Sequence, residues 1–407
     1  MRSTNNFIDT LNPQSLLFSY IATIIFLSLP TVVLAEEQLS GNVALEYKWF
    51  QNNPLREWQH RNNVAGSAEL EYYRDWDKGK QSLLFSPFVR IDQHDSERTH
   101  ADIRDLSWQM VSRDWELRAG IKKVFWGVTE SQHLVDFINQ TDALEGLDGE
   151  DKLGQPMLNF ALIKDWGTLD FFVLPYFRAR QFLGQQSRLS FPVFIDQDNS
   201  QYESADAEQH VDFAIRWSHS IDDWDIGLSH FSGTNRNPIF IPKDSTTLIP
   251  YYNLIEQTGL ELQAIYGDWL LKLEAIARKE YSHRTTAFTV GFENTLVGIF
   301  ESQIDLGLLA EYLYDDRYGK FLTPFDNDLF VAARLALNDA QGSELLAGFF
   351  IDLDNQTRLF NIEASRRLGD SWKLNIEARF FSNIDSKELF YTFRQDDYLQ
   401  AELAWYF

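Results

Sequence analysis

The chain has 407 residues, with 36 Lys+Arg against 60 Asp+Glu, no cysteine, and 12 Trp, 16 Tyr and 32 Phe. Without cysteine there is no disulfide framework, thiolate metal site or cysteine nucleophile, and a net charge of -24 with no basic run excludes nucleic acid as a partner. A mean hydropathy of -0.31 excludes a polytopic helical membrane protein, while 15% aromatic residues is too rich for disorder, so a large, folded, β-rich chain is expected.

The first element is the one long apolar stretch, Leu16 to Ala35, about long enough to cross a bilayer as a helix. Pro30 breaks it, Val33 and Ala35 supply small residues at the positions before a cleavage point, and Glu36-Glu37 begins a polar chain. This pattern predicts a secretory signal peptide over 1–35 and a single domain over 36–407, with a retained anchor as the alternative.

From there to the end, short alternating segments follow one another without a Pro/Ser-rich linker. In Trp372 to Phe380 the even positions are apolar and Lys373, Asn375, Glu377 and Arg379 stand between them, which is a strand with one apolar face. The predicted strands are 41–50, 63–74, 81–92, 102–111, 115–125, 156–164, 168–178, 209–219, 224–232, 252–266, 269–280, 286–299, 304–315, 328–338, 343–352, 358–368, 371–381 and 397–407. Their connections alternate between short, such as 112–114, and long, such as 126–155 and 179–208.

Asp-Trp recurs at Asp75-Trp76, Asp114-Trp115, Asp165-Trp166, Asp223-Trp224 and Asp268-Trp269, with Asp370-Ser371-Trp372 as a near copy. Aspartate suits a tight turn. Indoles repeated at one end of successive strands suit a membrane–water boundary, so Trp76, Trp115, Trp166, Trp224, Trp269 and Trp372 are read as a periplasmic aromatic girdle. A soluble sheet would instead use them to cap a core.

Charges interleave with the apolar positions. Arg90, Glu116, Arg118, Lys122, Arg216, Glu274, Arg278, Arg334, Glu363, Arg367, Glu377 and Arg379 fall on the face opposite the apolar one. A membrane barrel turns that face to a wet lumen and the apolar face to lipid. The fold expected is therefore an all-β transmembrane antiparallel barrel of about eighteen strands, sixteen being the next choice, with short periplasmic turns and long extracellular loops. A secreted β-propeller is the runner-up, but its repeat needs four strands where this one holds two. The mixed signs on the inner face read first as cross-strand ion pairs.

The last segment ends on Leu399, Ala401, Leu403, Trp405 and Phe407 at alternating positions. This resembles the C-terminal assembly signal of Gram-negative outer-membrane barrels, where Leu399, Leu403, Trp405 and Phe407 would be the residues read. Separately, Gly120 to Phe160 is similar to the central loop region of uncharacterised porin-like outer-membrane proteins. The resemblance implies a cell outer-membrane location and a transport role, and partners that comprise outer-membrane lipid and lipopolysaccharide, barrel-assembly machinery and small hydrophilic solutes. It implies no cofactor, no catalytic residue and no particular oligomeric state. The competing class is a non-transport surface barrel such as an adhesin, receptor or assembly scaffold.

The eight histidines form no HExxH, no close pair on one strand face and no triad with Ser and Asp, so no enzyme is expected. The connection from Trp126 to Gln155 is the informative loop. It carries Glu130, Asp136, Asp142, Glu145, Asp148, Glu150 and Asp151 against one Lys152, a local charge of -6, and a stretch, Ser131 to Ile138, with helical character. Folded inward it would narrow a pore and lean it toward cations. Folded outward, Asp148 to Asp151 could hold Ca²⁺ with lipopolysaccharide phosphate, although the spacing matches no EF-hand, or the loop is simply a solvated acidic surface.

Overall fold

The computed structural model describes residues 37–317 and 323–407; the expected signal peptide lies outside the described residues. The first strands are β1 (Glu37–Phe50), β2 (Asn62–Trp76), β3 (Gln81–Asp92), β4 (His100–Val111), β5 (Trp115–Lys122), β6 (Gln155–Lys164) and β7 (Gly167–Leu174). Next come β8 (Phe194–Ile195), β9 (Gln201–Tyr202), β10 (Asp212–Ile221), β11 (Trp224–Thr234), β12 (Ile239–Pro242), β13 (Thr247–Tyr252), β14 (Leu254–Tyr266) and β15 (Trp269–Glu280). The last are β16 (His283–Leu296), β17 (Asp305–Asp315), β18 (Asn327–Ala336), β19 (Glu344–Asp352), β20 (Arg358–Leu368), β21 (Trp372–Ser382) and β22 (Tyr398–Tyr406).

Eighteen of these form one antiparallel sheet in which each strand pairs with its neighbours along the chain. Strand β22 then pairs back with β1, from Asn42↔Tyr406 to Phe50↔Tyr398, and the sheet closes into a barrel. The terminal residue takes part: Gly41 N–H donates to Phe407 O and Phe407 N–H to Gly41 O, both at 3.1 Å. Each of the eighteen predicted segments corresponds to one barrel strand, including 81–92, which coincides with β3.

Alternation sets the two faces. Along β1, Val43, Leu45, Tyr47 and Trp49 are exposed on the outside, and Ala44, Glu46, Lys48 and Phe50 are buried inside. The inversion is general: outward Ile91 is 66% exposed and Phe213 54%, whereas inward Glu274 is 0% and Glu311 1% exposed. Water would penalise that arrangement, because the apolar surface is left uncovered while carboxylates are enclosed. Lipid around the outside removes the first penalty, and ion pairs with inner water remove the second.

The barrel has a short-turn rim and a long-loop rim. Two-residue turns at 165–166, 222–223 and 267–268 belong to the first. The connections 123–154, 175–211 and 235–253 belong to the second, with the two-residue turn Tyr281-Ser282 between β15 and β16 as its low point. All six Asp-Trp tryptophans lie at the short-turn rim: Trp115, Trp224, Trp269 and Trp372 open β5, β11, β15 and β21, Trp76 closes β2, and Trp166 sits in a turn. The long loops hold structure that strand periodicity did not anticipate, a small sheet in which β12 pairs antiparallel with β13 and β13 pairs in parallel with β8 and β9.

An outward position halfway along a strand tests the solvent of this face. Val290 of β16 is 42% exposed. Val290→Arg should destabilise the protein in lipid vesicles by about 2–4 kcal/mol at mid-bilayer depth, read from urea unfolding. A change within about 0.5 kcal/mol, typical of a water-facing surface site, would remove the lipid assignment.

Candidate functional site

The connection 123–154 leaves β5 and folds into the barrel, where it packs on side chains of the inner face. Leu134, Val135, Phe137 and Ile138 join one buried cluster with Phe172, Ala214, Phe231, Ile255, Ile276 and Ala287, contributed by β7, β10, β11, β14, β15 and β16. Guanidiniums of the wall lie over its rings, Arg216 at 5.7 Å from Trp126 and Arg278 at 4.7 Å from Phe137.

Two wall carboxylates grip the loop by its main chain. Glu274 Oε1 accepts from Val128 N–H at 2.8 Å, Thr129 N–H at 3.1 Å and Thr129 Oγ1 at 2.8 Å, and Glu274 Oε2 accepts from Val135 N–H at 3.2 Å. Glu311 accepts from the N–H groups of Glu130 and Ser131, both at 2.8 Å, and from Ser131 Oγ at 2.5 Å. No helix forms over Ser131 to Ile138, contrary to the expectation from sequence, and Val135 N–H, which would donate to Ser131 O in a helix, goes to Glu274 instead. Gly127, at φ +133°, sits where a Cβ would lie 2.8 Å from Glu274 Oε1, so this approach needs glycine.

The neck is closed by Asn139, whose Nδ2 donates to Lys122 O at 2.9 Å and Leu153 O at 2.8 Å while its Oδ1 accepts from Val124 N–H at 3.0 Å. Beyond it the loop doubles back, Leu153 N–H donating to Gln140 O and Asp142 N–H to Asp151 O, each at 2.8 Å.

Six of the seven loop carboxylates have a cationic partner. Glu130 meets Arg334 at 2.7 Å, Asp136 meets Lys152 at 3.2 Å, Glu145 meets Arg90 at 2.5 Å, Asp148 meets Arg379 at 2.6 Å and Glu150 meets His133 at 3.1 Å. Asp142 pairs with Arg104. Burial opposes the charge on His133, but its contacts with Glu150 and Glu274 prevail and push its pKa up to about 10. Asp151 has no ion-pair partner among the described residues. Enclosure by the barrel, then the charges of Glu145, Asp148 and Asp142, push it up to about 7, although it keeps contact with solvent. The loop's formal -6 is thus largely answered locally.

The wall charges pair as well. Arg90 also meets Glu46 at 3.0 Å, Arg118 meets Glu116, Lys122 meets Asp105 at 3.7 Å, and Arg216 meets Glu261. Arg379 also meets Glu377 at 2.8 Å and Glu363 at 3.4 Å. Arg278 donates to Gln257 Oε1 instead, and Arg367 is exposed at the short-turn end of β20 outside these pairs. At the closing strand, Leu399, Leu403, Trp405 and Phe407 are exposed on the outer side.

Sequence reading missed Glu311, Arg98 and Arg104. Arg98, in the β3–β4 connection, meets Glu46 at 2.8 Å and Asp92 at 3.0 Å and donates to Leu144 O at 2.8 Å. Arg104 escaped strand alternation because the register of β3 and β4 shifts between Ser86 and Pro87. Proline has no N–H for the ladder, and a bulge there turns an extra side chain inward. Pro87 inside a predicted strand is the signal that could have found it.

No protein-family model and no curated protein matches the chain. Its fold is similar to that of a BenF-like porin from Pseudomonas fluorescens Pf-5, at 11% identity and a TM-score of 0.53, covering 91% of this chain and 97% of that one. The outer-membrane protein OmpT of Vibrio cholerae (9% identity, TM-score 0.47, 91% and 99% covered) and Salmonella typhi OmpF (10%, 0.46, 91% and 97%) are also similar. The chain has the closed-barrel architecture of outer-membrane porins.

The grip of Glu274 is measurable. Glu274→Ala strands several buried donors, and a hydrogen bond to a charged group contributes about 1.5–3 kcal/mol. Amide hydrogen exchange over residues 128–135 should then accelerate by about 10- to 100-fold at pH 7, while the strands of the wall keep their protection. Unchanged exchange in the loop would mean that apolar packing alone holds it.

Proposed function

We propose that this chain is a porin-like channel of the outer membrane that passes small hydrophilic solutes by passive diffusion, with residues 123–154 as its constriction. The observation that carries the reading is a loop held inside a closed barrel with open space on both sides of it. A cavity of about 400 Å³ lies between the loop and the wall around β18 to β21. Another of about 530 Å³ borders Trp126 to Val128 near the short-turn rim. Its selectivity follows from the charge left after pairing, chiefly the carboxylates around Arg379 with an Asp151 that is only partly ionised at neutral pH, which supports a weak lean toward cations rather than the strong one that -6 would produce. Solute passage, assembly machinery and lipopolysaccharide as partners belong to this reading.

Single-channel conductance in planar bilayers tests it. Deleting Glu130 to Asp151 should raise the conductance, and neutralising Asp151 together with Glu363 should reduce cation preference, most at 0.01 M salt where the Debye length is about 30 Å. No conductance steps from either the wild type or the deletion variant would favour a scaffold or receptor barrel.

Assembly has its own test. Phe407→Asp should lower membrane levels and abolish heat-modifiable gel migration, since the closing strand would lose its terminal recognition group; normal levels and migration would reject the C-terminal signal.

A further inference from the structure

We infer that the cavity between the loop and strands β18 to β21 is a binding subsite for small organic cations, specifically a protonated amine carried on an aromatic or alkyl body. As a solute preference this deepens the channel reading and rests on it. The cavity has a volume of about 400 Å³, within the lower part of the range of about 300–1,000 Å³ for small-molecule sites.

One wall is aromatic. Phe330 and Phe350 project inward from β18 and β19, 2% and 9% exposed, with ring centroids 4.5 Å apart. Phe325 stacks on Phe350 at 4.4 Å with an interplanar angle of 8°. Gly348 makes room for this, because a Cβ there would lie 2.5 Å from the Phe330 ring. With Phe325 and Phe330 covering the two faces of Phe350, this wall offers apolar ring area to the body of a ligand rather than a free ring face to its charge.

The other wall is short of positive charge. Glu363 and Glu377 stand directly opposite each other across β20 and β21, an arrangement that repels. Arg379 must serve both and Asp148 as well, and Glu363 receives its longest contact, 3.4 Å, with a side chain 47% exposed to the lumen. Three carboxylates therefore share one guanidinium.

A third observation concerns the chemistry that the cavity favours. Asn361 lines the same cavity, is 92% buried, and its Oδ1 has no hydrogen-bond partner. A buried acceptor without a donor is costly, and a turn of the Asn361 amide from its place beside Gly348 toward the cavity would let an ammonium N–H satisfy it while offsetting the charge of Glu363. An anion would meet that acceptor and four carboxylates of the lining, Glu130, Asp148, Glu150 and Glu363, against two cations, Arg379 and His133, so the excess of negative charge selects by sign as well as shape.

The test uses full-length protein in detergent and calorimetric titration with phenethylammonium, with phenylacetate as the probe of like body and opposite charge. Saturable binding of phenethylammonium and none of phenylacetate is expected. Asn361→Leu and Phe350→Ala should each weaken binding about tenfold, whereas the near-isosteric Asn361→Asp should tighten it, a gain that a folding defect could not produce. Equal binding of phenylacetate, no saturable binding of phenethylammonium, or affinities unmoved by all three variants would overturn the subsite. Bilayer recordings on the same preparation separate the two readings. Conductance without amine binding leaves the channel and removes the subsite, whereas amine binding without conductance removes the channel and leaves a binding site.

Discussion

The pairing of β22 with β1 is the constraint on which everything else depends. A membrane offers no water to an unpaired N–H or C=O, so a sheet in lipid either closes or carries an unsatisfied edge. Here the first and last strands of the described barrel meet over Asn42↔Tyr406 to Phe50↔Tyr398, with Gly41 and Phe407 exchanging both of their main-chain bonds. Once the ring is closed, the two-residue side-chain period must divide inside from outside for every strand at once. The apolar outer face and the charged inner face are two results of one closure.

Closure also creates the interior that the loop occupies. A lumen of this size cannot be filled by wall side chains alone, and the chain supplies the rest from residues 123–154. Apolar contacts account for one side of that segment, where Val135, Phe137 and Ile138 meet Ala214, Ile276 and Ala287. Charge pairing accounts for the other, where Asp142, Glu145 and Asp148 meet Arg104, Arg90 and Arg379. The loop is therefore part of the barrel's core as well as the element that narrows it.

Strand positions were legible in sequence because period-two alternation needs no knowledge of partners. The segment 269–280 reads directly from Trp269, Leu271 and Leu273 against Lys272 and Glu274. Inward positions follow the same period, yet Glu311 was passed over within a regular strand and Arg104 where a bulge breaks the period. What alternation could not supply was pairing. Seven acids and one lysine in a loop look like a strong field until the wall arginines that answer them are located, and those lie far away in sequence: Asp148 and Arg379 are 231 residues apart. The helical character read into Ser131 to Ile138 failed for a related reason, since Glu274, which claims the N–H of Val135, sits on a strand more than a hundred residues downstream.

The grip of Glu274 and Glu311 on the loop has a consequence for how such a protein can diversify. Both carboxylates take hold mainly of main-chain N–H groups, and every residue except proline offers one. Side chains at Val128, Glu130 and Val135 can therefore be exchanged without taking the donors away, while Gly127 is confined by its close approach to Glu274. Over 128–131 the anchoring atoms belong mainly to the main chain, whereas Val135, Phe137, Ile138 and Asn139 hold the loop by their side chains as well. If the loop is the constriction proposed above, mutation can vary side chains such as that of Val128, and with them what the lumen admits, while these two anchors keep their grip on the main chain.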